Sequence, residues 1–194
     1  MKQALFGLAL LAALPFASQA AEGVSYSYLE AGYLGSRYDY YEWDAVTGSS
    51  THHERADGWA VRGAGAIAPN FHVFGSYSSL DFAPLDNHDA LKLGIGYHHE
   101  INSNVDLLTR VAYDRLETDF ADYTGWSVEA GVRASLAHFL EGYALAGYED
   151  FDSDSRFYGR LGAQFKFNAL WGINGEVKLV EGHDEYFIGP RITF

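Results

Sequence analysis

The stretch Ala90-Leu-Lys-Leu-Gly-Ile-Gly-Tyr-His98 alternates strictly: Leu91, Leu93, Ile95 and Tyr97 fall on one side of an extended chain, and Lys92, Gly94, Gly96 and His98 on the other. Period two over about ten residues is a strand signature, because successive side chains of a strand leave opposite faces. Moving outward, Val105–Tyr113 sets Val105, Leu107, Val111 and Tyr113 against Asp106, Arg110 and Ala112. Arg156–Phe167 sets Phe157, Leu161, Phe165 and Phe167 against Arg156, Arg160, Gln164 and Lys166.

The same rhythm divides the chain into ten expected strands: 24–38, 58–68, 71–80, 89–99, 105–116, 125–136, 140–150, 156–167, 171–180 and 185–194. Their connections alternate. Pro69-Asn70, Ile101–Asn104, Ala137–Phe139 and Asn168–Leu170 are short, whereas Tyr38–Asp57, Asp81–His88, Glu117–Thr124 and Phe151–Ser155 are longer and more polar. Short periplasmic turns and long external loops give a membrane barrel this pattern, and an even strand count returns both termini to one side.

The charged face separates a barrel from a soluble sandwich. Its acids are Glu30, Asp106, Asp114, Glu129, Glu141 and Glu176; its bases are Arg62, Lys92, Arg110, Arg133, Arg160, Lys166, Lys178 and Arg191. Near balance suits groups that must pair across a narrow lumen, where an isolated charge is costly. The opposite face carries Leu29, Trp59, Val61, Ile67, Val73, Val128, Val132, Ile173, Val177, Ile188 and Ile192. The last strand ends with Tyr186, Ile188, Ile192 and Phe194 on one face, interrupted by Pro190, as a signal for the outer-membrane assembly machinery would. The expected fold is therefore an all-β, ten-stranded antiparallel transmembrane β-barrel of the outer membrane.

Export is expected from residues 1–20. Lys2, an apolar run from Ala4 to Phe16 and Ser18-Gln19-Ala20 have the order of a secretory signal peptide, which leaves Ala21 as the mature start and 21–194 as one domain. No later stretch has the roughly 20 apolar residues of a spanning helix. There is no Cys, hence no disulfide framework. Fourteen Tyr, thirteen Phe and twenty-one Gly suit strands, turns and interfacial girdles.

The net charge of −13 argues against a nucleic-acid partner. With the strand faces nearly neutral, the surplus acid falls in the connections: Asp39, Glu42, Asp44, Glu54 and Asp57 in the first, then Asp81, Asp86, Glu117, Asp119, Asp122, Asp150, Asp152 and Asp154. Such a rim would repel lipopolysaccharide phosphates unless divalent cations bridge the two; its plain reading is a solvated acidic surface, and a cation or ligand site is the sharper alternative.

A lipid- or peptide-cleaving barrel enzyme is the third and weakest reading of the titratable residues. His52-His53, His88-Asp89 and His183-Asp184 are ordinary loop residues, and adjacent strand residues face apart, so His183 and Asp184 form no dyad with each other. His72, Ser76 and Ser78 share a face that looks into the lumen, and no G-x-S-x-G occurs. Asp150–Ser155 has alternate acids but lacks the sixth-place glycine and the distal glutamate of a calcium loop. Gly94 and Gly96 make room for side chains opposite them. No cofactor or metal is expected, and the chain reads as a monomer. A lumen of ten strands leaves at most a narrow pore.

Several segments resemble one family: Ala21-Glu-Gly-Val-Ser-Tyr-Ser-Tyr28, Ile67-Ala-Pro-Asn-Phe-His-Val-Phe-Gly75, Asp106-Leu-Leu-Thr-Arg-Val-Ala-Tyr113, Leu140-Glu-Gly-Tyr-Ala-Leu-Ala-Gly-Tyr-Glu-Asp150, Phe157-Tyr-Gly-Arg-Leu-Gly-Ala163 and Ile188-Gly-Pro-Arg-Ile-Thr-Phe194. They are similar to the small outer-membrane proteins of xanthomonads once named as activators of receptor-mediated immunity in rice. The resemblance spans the mature chain, strands more than loops, and departs most at Ser36–Ala56. It implies an outer-membrane barrel tied to envelope integrity, biofilm, virulence and signalling, without catalytic residues. The function expected is a non-enzymatic barrel whose acidic loops make envelope or cell-surface contacts, host contact included, with a passive pore for small solutes as the alternative.

Overall fold

The computed structural model describes residues 20–44, 48–82, 86–152 and 154–194, without the side chains of 39–44, 48–54, 82 and 86. Ten antiparallel strands run in chain order: β1 (Tyr28–Asp44), β2 (Gly48–Ala68), β3 (Phe71–Phe82), β4 (Asp86–Asn102), β5 (Val105–Glu117), β6 (Asp122–Ala137), β7 (Leu140–Phe151), β8 (Asp154–Lys166), β9 (Trp171–Val180) and β10 (His183–Thr193). Each pairs with the next, and β1 pairs with β10, so the sheet closes. Closure leaves no edge strand with unmet backbone groups, the condition for crossing lipid.

Polarity is inverted relative to a soluble protein. Leu93, Ile95, Val111, Leu161 and Ile188 stand outward and about half exposed, while Glu30, Asp106, Glu141 and Arg191 are buried inside. Two aromatic girdles flank the aliphatic belt. The outer one includes Tyr33, Trp59, Tyr113, Trp126 and Phe157, and the periplasmic one Phe71, Tyr97, Phe139, Phe165 and Trp171. Rings within a girdle touch across strands, as Trp126 with Tyr148 at 5.6 Å and Phe139 with Phe165 at 5.5 Å.

Three periplasmic turns carry the same irregularity. The register shifts between Ala66 and Ala68, between Glu100 and Asn102, and between Ser135 and Ala137. The residues skipped are Ile67, Ile101 and Leu136, all exposed. A bulge adds one residue to one strand and sharpens the local twist, which helps each hairpin turn back into a tilted wall. At the closing seam the pairing lapses between Glu30↔Arg191 and Tyr33↔Ile188, beside Gly189-Pro190, since Pro190 brings no N–H.

Two expectations need correction. Residues 24–27 do not begin the first strand: Ala21 to Val24 form a turn (Val24 N to Ala21 O, 3.0 Å) around Gly23 at φ +81°, which sends Val24 and Tyr26 into the lumen. Nor is 38–57 a loop. Pairing continues from Tyr38↔Glu54 to Asp44↔Gly48, where Tyr40, Tyr41, Trp43 and Thr51 are residue types that favour extended backbone. The ribbon outruns its neighbours, since β10 stops opposite Tyr38 and β3 opposite Ala56. Six further residues of β1 therefore rise about 20 Å above the rim.

Candidate functional site

Strand alternation places one inward charge every second residue, and closure brings these rows face to face. Among the described residues, the lumen proper is lined by eight acids and eight bases, with Arg156 and Asp154 on the same face at the outer rim and Glu100 at the periplasmic one. The lumen groups are the fourteen expected from the sequence together with Glu149 and Glu185.

The pairs join into a chain across the lumen. Arg191 Nε lies 2.6 Å from Glu30, which is 3.9 Å from Arg62; Arg62 Nη1 lies 2.8 Å from Glu176 Oε1, and Arg160 Nη1 is 2.5 Å from the same oxygen. Arg160 and Arg110 then share Glu129 at 3.0 and 2.5 Å. The link from Arg62 on β2 to Glu176 on β9 spans strands that are not neighbours, so it braces the barrel as a strut. Smaller groups sit at other levels: Lys92 with Asp114 and Ser127, Lys178 with Glu149 and Glu185, and Lys166 with Glu141, which also holds Arg133.

Glycines make room for the aromatic side chains of the lumen. A Cβ on Gly96 would lie 2.2 Å from the His72 ring, and one on Gly162 would lie 2.1 Å from the Tyr143 ring, whose hydroxyl donates to Glu176. His72 thus looks inward, as its alternation implied.

At the periplasmic end residues 20–27 fold back inside as a stopper. Tyr26 stacks on His98 with centroids 3.9 Å apart and on His72 at 4.7 Å, with the Arg133 guanidinium 4.9 Å from its ring. Its hydroxyl donates to Asp106 Oδ2 at 3.0 Å, and burial pushes the phenol pKa up, which keeps it a donor. Ala21 N donates to Asp106 Oδ1 at 2.9 Å, and Glu22 N donates to Ser103 O at 2.7 Å. Ala21, Val24 and Tyr26 pack with Leu108 and Leu145 in an apolar cluster, and Lys166 donates to Gly23 O. Above this stopper a cavity of about 560 Å³ runs toward the outer mouth past Arg62, Lys92, Arg110, Glu129 and Lys178.

The remaining candidates separate. His183 stacks on Tyr38 at 4.8 Å and lies 3.4 Å from Glu185, whereas Asp184 faces outward near Arg37 at 3.9 Å. The three acids of the 150–155 segment are engaged apart: Asp150 accepts from Tyr148, Asp152 from Thr124 N, and Asp154 pairs with Arg156. The side chains of His52 and His53 lie outside the described residues, as do residues 1–19. Tyr186 and Ile188 stand exposed on the outer face of β10, with Ile192 half-buried beside them and Phe194 exposed just past its end.

Sequence reasoning missed the stopper and two inward acids. Glu149 shares the parity of Glu141 on β7, and Glu185 that of Arg191 on β10, so the alternation could have included them. Glu22-Gly23 was the available turn signal for the stopper.

A closed barrel with an apolar belt, paired aromatic girdles and a charged interior is a transmembrane β-barrel of the outer-membrane class, and the cell outer membrane is its location. No family model matches the chain, and no curated protein sequence does. Among solved structures it is similar to the KdgM porin in complex with disordered oligogalacturonate, at 11% identity and TM-score 0.49, covering 87% of this chain and 99% of that one. It is also similar to the outer membrane protein OprG from Pseudomonas aeruginosa, at 11% identity and TM-score 0.42, covering 91% and 99%. A third is Ail, the attachment invasion locus protein of Yersinia pestis, at 11% identity and TM-score 0.35, covering 87% and 99%. At these identities the likeness is one of architecture, not of ligand or partner.

Proposed function

We propose that the protein is a non-enzymatic surface barrel, shut from the periplasmic side, whose acidic outer strand ends and tall β1–β2 ribbon make envelope or cell-surface contacts of the kind used in adhesion and biofilm. The observation that carries this reading is the stopper, seated on Asp106, His72, His98 and Arg133, below struts such as Arg62–Glu176. Outside, Asp57, Asp81, Glu117, Asp119, Asp122, Asp152, Asp154 and Glu181 are exposed, so the surplus acid faces what approaches from without. Divalent cations between these carboxylates and lipopolysaccharide phosphates are its proposed contacts in the membrane, and the outward face of β10 its proposed handle for the assembly machinery.

A narrow pore is the second reading, favoured by the cavity above the stopper. Planar bilayers separate the two. The wild-type barrel is expected to be silent, and a variant lacking residues 21–27 to conduct. Reproducible unitary conductance from the wild type replaces the first reading with the second.

A further inference from the structure

Asp106 is the anomaly of the lumen. It is fully buried, and among the described residues it is the one buried acid with no cationic partner. Arg133 stands opposite it in register but turns to Glu141. Among the described residues its oxygens accept from the Tyr26 hydroxyl and from the nitrogen of Ala21. A buried carboxylate held by two neutral donors is poorly compensated.

Ala21 is also the residue at which the small-residue pattern Ser18-Gln19-Ala20 sets a leader-peptidase cut. We propose that Asp106 is the binding site for the α-ammonium group that this cut creates, so that export processing arms a latch holding the stopper in the lumen. The step is a hydrolysis. The Ala20–Ala21 C–N bond breaks, the oxygen of water joins the Ala20 carbonyl carbon, and the Ala21 nitrogen ends with three hydrogens as the new carboxyl group gives up its proton. No electrons are transferred. One neutral N–H donor at 2.9 Å from Asp106 becomes a charged group with three donors on the same atom.

The surroundings fit a chain start. The Ala21 methyl is buried against Val24, Tyr26, Leu108 and Leu145, and the turn through Gly23 fixes the distance from Ala21 to Tyr26, so both oxygens of Asp106 are taken by one short segment. The α-amine of an unfolded peptide, with a pKa near 7.7–8.0, is already mostly protonated at neutral pH. Charge-assisted bonds to a carboxylate are about twice as strong as neutral ones.

The test uses mature protein recovered from outer membranes. Its first residue is read by N-terminal sequencing, and its α-amine is labelled with an acylating reagent at about pH 6.5, where lysines remain protonated. The expected results are a start at Ala21 and labelling about tenfold or more slower than in the unfolded chain, as protection by local structure implies. Asp106→Asn, and a variant with one extra glycine before Ala21, are each expected to restore fast labelling while the barrel keeps its heat-modifiable gel mobility. The glycine variant leaves Asp106 in place, so it reports even if Asp106→Asn fails to fold. A start at another residue overturns the latch, as does an α-amine as reactive in the folded wild type as in the glycine variant. A wild-type barrel that conducts while its α-amine stays protected keeps the latch and overturns the shut lumen.

Discussion

Single side chains in this barrel matter by what they leave behind when removed. Glu176 serves both Arg62 and Arg160, so Glu176→Gln takes one of two acid partners from each, leaving Arg62 with Glu30 at 3.9 Å and Arg160 with Glu129 at 3.0 Å. Leaving a buried charge wholly unpaired costs about 3–5 kcal/mol, so with the second acids in place the loss is expected below that range. Urea titration of the barrel in lipid vesicles, followed by tryptophan fluorescence, should show the midpoint falling. Gly96→Leu acts through volume: its Cβ would lie 2.2 Å from the His72 ring, which is held between Tyr26 and Phe74. Overpacking of that kind costs about 1–3 kcal/mol, and a lower temperature for the gel-mobility shift is the expected outcome. The inward charges were legible because a strand allows two directions and only one of them holds acids and bases together. The partners were not. Nothing in the order of residues says that Arg62 reaches Glu176 on β9, or that Arg133 turns from Asp106 to Glu141.

At the scale of the element, the strands were readable wherever a lipid face alternates with a charged one. Trp171–Val180 begins and ends where the alternation does, and most other strands shift by only a few residues. Reading failed where the two media stop differing. The sequence of 39–53 has no apolar row to mark a strand, and Asp39–Asp44 and Gly48–His53 are extended by their cross-strand pairing. Before β1, Val24 and Tyr26 keep the alternating spacing of a strand while belonging to the stopper held inside the barrel. Deleting residues 39–53 and joining the ends with a short turn should leave the gel-mobility shift intact, because Asp39–Asp44 pair in the sheet with Gly48–His53, beyond the ends of β10 and β3. Loss of adhesion to surfaces in the same variant would locate the contact on the ribbon.

For the molecule as a whole, balance inside means that the surplus of acid is carried outside. The inward pairs are buried, so salt reaches them little, whereas the exposed outer acids repel one another through water and are screened within about 10 Å at 0.1 M salt. Raising salt from about 0.05 M to about 0.5 M is therefore expected to leave the urea midpoint nearly unchanged while weakening any divalent-dependent adsorption to lipopolysaccharide. A large fall in the midpoint would mean that the inward pairs are open to solvent.

The heights of the strand ends give the outer rim a shape. On one side the β1–β2 ribbon stands about 20 Å proud. Directly beside it, β9 and β10 are joined by only Glu181 and Gly182, the latter at φ +88°. The rim is thus a tower next to a low sill, and a bulky body coming from the tower's side is stopped before it reaches the mouth. The open approach to Lys178, Glu185 and the cavity below runs sideways over the sill, which makes that two-residue turn the place where a small added side chain would do most to narrow the way in.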